Sequence, residues 1–258
     1  MRKALVFASV FAGLCWLETR RPLRAQTQPR VRRALVNAAM AAISGVAVAT
    51  LQRWAVERAT AWVQRGNRGL VPKLGLPPWL AHAVGVILLD YTLWHWHRLC
   101  HVVPPLWRVH AAHHADLDLD ASTALRFHIG EMLASMPFRV IQIVGLGIDR
   151  TTLRTWEAAV FAAILFHHSN VRLPRQLDSV LAHVVITPRL HGIHHAIRPN
   201  RLDRNFGTLL TIWDRIHGTR TADLEQHDLA IGLEVVLGRE TFGLFDALVF
   251  PWRSERPQ

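Results

Sequence analysis

The stretch Trp107-Arg-Val-His-Ala-Ala-His-His114 decides how the chain is read. On a helix, His110, His113 and His114 stand at i, i+3 and i+4, so their imidazoles leave one side within a single turn and are expected to face one point. The same spacing returns at His191-Gly-Ile-His194-His195, and His97 and His101 precede both at i, i+4. A single histidine on an apolar face is usually a packing residue. Three spaced clusters are instead the pattern of metal ligation.

Bulk composition narrows the setting. Half of the 258 residues are hydrophobic, mean hydropathy is +0.15, and 30 Lys plus Arg stand against 19 Asp plus Glu, a formal net charge of +11. An apolar chain with arginines gathered beside its apolar runs fits an integral membrane protein with basic cytoplasmic flanks. A nucleic-acid binder would show a basic stripe with interleaved aromatics on a soluble domain, which this chain lacks. The only cysteines, Cys15 and Cys100, both lie in apolar surroundings. They supply neither a disulfide framework nor a thiolate zinc site, so a bound metal must be held by nitrogen and oxygen.

Five apolar stretches are candidate membrane segments, at residues 4–17, 34–52, 79–96, 131–148 and 153–168. The first is short enough for a signal-peptide core, but no small-residue cleavage site follows it. Six arginines follow instead (Arg20, Arg21, Arg24, Arg30, Arg32 and Arg33), which places that loop on the cytoplasmic side. Residues 53–78 mix charge, Trp, Gly and Pro and read as an external or interfacial connection. The last two stretches are joined by the turn Asp149-Arg150-Thr151-Thr152, are near the lower length limit, and form either a complete hairpin or a re-entrant one. The fold expected is an all-α integral membrane protein of four to five membrane helices with a cytoplasmic helical domain carrying the histidine clusters. The expected division is residues 1–75 as N-terminal membrane helices and linker, 76–220 as the catalytic part, and 221–258 as a cytoplasmic extension with a frayed tail. Every histidine cluster then falls on the cytoplasmic side, which in a bacterial cell means the inner face of the cell membrane.

Imidazole suits iron, zinc, copper and nickel, so ligand type alone names no metal. Eight clustered histidines exceed the three or four protein ligands of one zinc site, which favours two metals. His128 and His168, where the chain leaves or re-enters the apolar segments on the cluster side, extend the candidates to ten. A ligating histidine usually donates its other ring N–H to a carboxylate or carbonyl. Asp90, Glu131 and Asp203 are the candidates for that orienting role, with Asn170, Arg189 and Asn205 behind them. His82, His95, His167, His183, His217 and His227 read as packing or surface residues.

The segment 91–114, Thr123-Ala-Leu-Arg-Phe-His128, Phe166-His-His168-Ser-Asn170-Val-Arg-Leu-Pro174, Thr187-Pro-Arg-Leu-His191-Gly-Ile-His194-His195 and Asp203-Arg-Asn-Phe-Gly207 resemble the fatty acid hydroxylase and sterol desaturase superfamily. So does Ile212-Trp-Asp-Arg-Ile-His-Gly-Thr219, and the likeness runs from about Trp79 to Thr219 in matching order. His95 departs from it, standing where an aromatic is usual. The resemblance implies a membrane enzyme whose histidine-ligated pair of iron ions activates dioxygen to hydroxylate or desaturate a lipid C–H bond. Its implied ligands are His97, His101, His110, His113, His114, His128, His168, His191, His194 and His195.

No GxGxxG fingerprint follows an expected strand, so electrons are expected from a separate donor, a reductase, ferredoxin or cytochrome b5-like carrier, docking on the basic face. Two other classes compete: a zinc-dependent membrane hydrolase and a metal-binding membrane protein without catalysis. A hydrolase of this kind normally carries a carboxylate base as in His-Glu-x-x-His, absent here. A carrier would place ionisable groups along its membrane helices rather than at their ends.

Overall fold

The computed structural model describes residues 2–197, 203–222, 224–226, 229–237 and 242–253. His227 and the tail residues 254–258 lie outside them. Among the described residues the chain is helical, with isolated antiparallel bridges and no strand. The helices are α1 (Arg2–Arg20), α2 (Arg30–Ala47), α3 (Arg53–Gly66), α4 (Leu70–Lys73), α5 (Pro78–Val102) and α6 (Pro104–His114). They continue with α7 (Ile129–Leu146), α8 (Arg150–His168), α9 (Arg175–Leu181), α10 (Pro188–His194), α11 (Ile212–Ile216) and α12 (Leu244–Val249).

Proline and glycine set the main boundaries. Pro78 opens α5, and Val103 is held extended before Pro104, so α5 stops and α6 starts within one residue. Gly147 ends α7 in the left-handed region at φ 75°, where a Cβ would lie 2.4 Å from the Arg68 carbonyl oxygen. The expected turn after it is present, with the Asp149 carboxylate accepting from the backbone N–H of Thr151 and Thr152 to cap α8.

Each of the five apolar stretches is carried by a helix. Two segments are long and apolar enough to cross a membrane, 30–73 and α7, and only 22% and 17% of their apolar windows are buried. Residues 53–66 differ from the expected connection. The helix of α2 continues into α3 through a π turn at Val48–Gln52. The reason is local: no Gly or Pro interrupts residues 46–65, so the first breakers are Gly66 and Asn67, the latter at φ 47°.

Helices α5, α7 and α8 share a core in which Leu89, Ile143 and Trp156 are fully buried. A second core joins Trp107, Ala111 and Ala112 of α6 to Met40 of α2 and Phe250. Between these helices and α10 sit the histidines.

The N-terminal arginines do more than flank an apolar run. Arg33 is buried, and its guanidinium grips Asp116 through two bonds of 2.7 and 2.9 Å, Asp120 at 2.7 Å and the Asp118 carbonyl at 2.8 Å. Arg24 is buried as well, against the Pro188 carbonyl and Gln226. Two of the six arginines counted as flanking charge are therefore internal struts. Burial alone would raise the Asp116 carboxyl, but Arg33 outweighs it and holds the group at about 2. Replacing Arg33 with Met strands two buried carboxylates and is expected to cost about 3–5 kcal/mol. Thermal unfolding of the purified chain checks this, and adding Asp116→Asn should recover part of the loss.

Candidate metal centre

Nine imidazoles converge in two adjoining groups. His97, His101, His110, His114 and His194 form one and His113, His168, His191 and His195 the other, with the candidate ligand atoms of each group within 4.8 Å of one another. Helix α5 supplies two of these residues, α6 three, α8 one, and α10 with its capping residue the last three.

The repeated spacing divides rather than converges. On α6, His110 and His114 face the first group and His113 the second; on α10, His191 and His195 face the second and His194 the first. The expectation that all three donors of one turn address one point is thus corrected. At about 3.6 residues per turn, positions i and i+4 differ by about 40° of azimuth, whereas i+3 falls about 60° to the other side. One turn therefore serves two sites, and the groups touch where His114 stacks on His195 at 4.3 Å.

Backbone carbonyls decide the protons of two rings of the second group. His113 Nδ1 lies 3.1 Å from the Arg126 carbonyl oxygen and His168 Nδ1 lies 2.8 Å from that of Ile164. A carbonyl only accepts, so both Nδ1 atoms carry the proton and both neutral rings present a bare Nε2. Those two Nε2 atoms stand 3.0 Å apart, with His191 Nε2 3.0 Å from His168 Nε2 and His195 Nε2 3.2 Å beyond. Burial first, then the neighbouring imidazoles, holds His113, His191 and His195 well below the ordinary imidazole range. Opposed lone pairs at this separation repel unless a cation lies between them, which is the donor set of a metal site.

The first group is arranged likewise. His97 Nδ1 donates to the Phe206 carbonyl at 2.8 Å and His194 Nδ1 to that of Arg204 at 2.7 Å, freeing both Nε2 atoms. His194 is held down at about 3 by burial. Both ring nitrogens of His101 and of His114 are buried with no hydrogen-bond partner, as is His194 Nε2. Orphaned buried nitrogens are costly, and a metal would satisfy them.

Of the expected orienting carboxylates, Glu131 Oε2 is 3.1 Å from His110 Nδ1, an electrostatic contact outside hydrogen-bond alignment. Asp203 Oδ1 is 3.7 Å from His101 Nδ1. Asp90 is a correction: it accepts from the Trp213 indole at 2.7 Å and the Leu210 N–H at 3.2 Å, joining α5 to α11 and the residues before it instead of orienting a ligand. His128 is a second. Its Nδ1 caps α7 by accepting from Gly130 N–H, and its Nε2 meets the Leu248 carbonyl at 3.1 Å, so it stands outside both groups. At a helix start its ring is spent on backbone groups, a fate that spacing does not reveal.

His167 is buried beside His191 with Nδ1 on the Thr208 carbonyl, and lies outside both groups. His217 stacks on Trp94, His95 packs edge-on to Tyr91, His82 bonds Thr152, and exposed His183 bonds its own helix. Asn170 clamps the Arg24 backbone through both ends of its amide, Arg189 pairs with Asp178, and Asn205 ties Leu190 to Thr221. These three brace the loops.

Two contributors went unread in the sequence. Asp214 accepts from Trp94 Nε1, Phe206 N–H, Gly207 N–H and Thr219, fixing the loop whose Phe206 carbonyl holds His97. The run Asp116-Leu-Asp-Leu-Asp120 receives Arg33 and positions the turn that ends at the Arg126 carbonyl, hence His113. Three alternating carboxylates directly after a histidine cluster were the available signal.

Both groups border one cavity of about 280 Å³, whose walls include His97, His110, His113, His168 and His191 together with Leu93, Trp96, Phe138 and Phe161. Residues 82–219, just over half of the chain, match the fatty acid hydroxylase family. The chain belongs to that family. It is 34% identical over 138 residues to the ornithine lipid hydroxylase of Rhizobium tropici, covering 53% of this chain and 40% of that protein. It is 28% identical over 149 residues to the Homo sapiens alkylglycerol monooxygenase, covering 57% and 32%. A Mus musculus cholesterol 25-hydroxylase is 27% identical over 166 residues, covering 62% and 54%. The matched part thus spans about a third to a half of each relative's length. No solved structure matches this family member.

His113→Ala is expected to deplete metal from the four-histidine group and His194→Ala from the five-histidine group, measured as metal per chain by mass spectrometry. His128→Ala should leave metal content unchanged and cost about 1 kcal/mol of stability, the worth of a helix cap.

Proposed function

We propose that this chain is a membrane-bound di-iron oxygenase that hydroxylates a C–H bond of a lipid. The observation that carries the reading is the bare, buried Nε2 array of two adjoining groups opening on an apolar cavity between α5, α7 and α8. The ligands proposed are the nine convergent histidines, with Glu131 and Asp203 steadying His110 and His101; Asp90 and His128 are left out. When bound, iron would supply the redox oxidant that an unactivated C–H bond requires, with dioxygen as cosubstrate.

The protein's own share is positioning. Backbone carbonyls at Phe206, Arg126, Ile164 and Arg204 lock four rings with Nε2 inward, which fixes donor direction before any metal arrives. The apolar walls exclude water from the reacting carbon and hold an alkyl body by burial. Residues 76–220 would form the catalytic part, braced by the N-terminal helices through Arg24 and Arg33.

Membrane residence is supported by the two long apolar segments and by large exposed apolar side chains, among them Leu35, Val46, Trp79 and Ile141. We place the histidine groups at the cytoplasmic end of a multi-pass bundle, with α1, α5 and α8 completing the span. Hydroxylation consumes an electron pair and two protons beyond the C–H bond and dioxygen, one oxygen atom leaving as water. A separate carrier would deliver the electrons to the basic face. The relatives, two hydroxylases and a monooxygenase of lipids, favour oxygen insertion over desaturation.

Protein purified without oxygen is expected to hold about two irons per chain and to consume oxygen when given a reductant and membrane lipid extract. The lipid product should gain one oxygen atom by mass spectrometry. Zinc in both groups, with no oxygen uptake after iron loading, would overturn the oxygenase reading in favour of a hydrolase.

A further inference from the structure

The cavity beside the histidines has two chemically different ends. Its far lining includes Gln52, Arg139, Gln142 and Glu157. Three helices measure the separation. Arg139 lies eight residues beyond Glu131 on α7, Leu89, which Gln142 touches, lies eight before His97 on α5, and Glu157 lies eleven before His168 on α8. At the rise of a helix these are about 12 Å, 12 Å and 16 Å from the histidine end.

Three side-chain atoms of this polar end are unsatisfied. Arg139 Nη1, Gln142 Oε1 and Gln52 Oε1 are all buried without a hydrogen-bond partner. The Arg139 guanidinium lies on the Trp156 ring at 4.5 Å, inside a helix apolar enough to cross a membrane. An ionisable group there is expensive and marks a functional position. Gln52 closes the π turn, a distortion frequent at functional sites.

The chemistry of these atoms selects a ligand. Gln142 Nε2 is engaged by Thr92 Oγ1 at 2.6 Å and the Leu89 carbonyl at 3.5 Å, so the amide oxygen is the end left over. Arg139 offers a donor, and the two amides offer acceptors. Glu157 lines the same end of the cavity as Arg139. A carboxylate or phosphate would face two amide oxygens, and a bare hydrocarbon would leave Arg139 Nη1, Gln142 Oε1 and Gln52 Oε1 unpaired. A hydroxyl both accepts and donates.

We infer that the cavity selects a neutral amphiphile whose hydroxyl sits about 12 to 16 Å from the carbon presented to the histidines, accepting from Arg139 Nη1 and donating to Gln142 Oε1. The inference rests on the oxygenase reading only in taking this cavity as the substrate's place.

The test is binding of radiolabelled hexadecanol to the full chain in lipid nanodiscs, with unlabelled hexadecane and palmitate as competitors. Hexadecanol should bind about tenfold more tightly than either, the worth of one well-placed hydrogen bond. Arg139→Met and Gln142→Leu should each weaken hexadecanol about tenfold while hexadecane binding stays, showing that the cavity is still folded. Unchanged hexadecanol affinity in both variants, no discrimination by the native chain, or tighter palmitate would overturn the inference. Oxygen uptake on the same preparation separates the two claims. Discrimination without uptake leaves the hydroxyl site standing and removes the oxygenase; uptake without discrimination does the reverse.

Discussion

Bare imidazole nitrogens facing one another inside the protein are the constraint on which the rest of the structure depends. His113 and His168 each spend their proton on a backbone carbonyl and are left with Nε2 lone pairs 3.0 Å apart. His113 cannot relieve the pair by taking a second proton, because burial and the surrounding imidazoles disfavour the charge. Such an arrangement repels itself and is complementary to a small cation. The fold therefore has to hold the rings against their own repulsion.

It does so from outside the clusters. Arg33, far away in the sequence, closes on Asp116 and Asp120, and Arg126 holds Asn37 and the Ala112 carbonyl while its own carbonyl fixes His113. Asp214 performs the matching service on the other group through the loop that presents Phe206 to His97. A buried arginine among carboxylates adds little net stability compared with an apolar filling, but it permits one geometry only. For ligands that must stay aimed, that restriction is the useful property.

The apolar side of the site answers a different demand. Helices α5, α7 and α8 enclose a hydrocarbon-lined cavity that meets the histidines at one end and unpartnered polar atoms at the other. Membership of the fatty acid hydroxylase family and the cavity's lining are independent observations, and both fit the lipid proposed as substrate. The exposed apolar faces of α2 and α7 fit the same setting, since they would be costly in water and are free of cost against acyl chains.

The sequence by itself determined the helical class and the clustering of histidines at ligand spacing, because spacing on a helix is a local property that one turn expresses without help. It also exposed Glu131, three residues past the end of a recognisable motif. It did not reveal that His110 and His113 serve different groups, that His128 is spent on capping α7, or that Asp90 belongs to Trp213. Those outcomes depend on where a side chain points relative to groups many residues away, and spacing carries no such information. Arg33 makes the point most clearly. Beside an apolar run it has the look of a solvated flank charge, and only the approach of the loop bearing Asp116 and Asp120, 83 and 87 residues on, turns it into a buried strut. Tertiary structure decided that, because a charge enters the interior only where distant partners are already assembled to receive it.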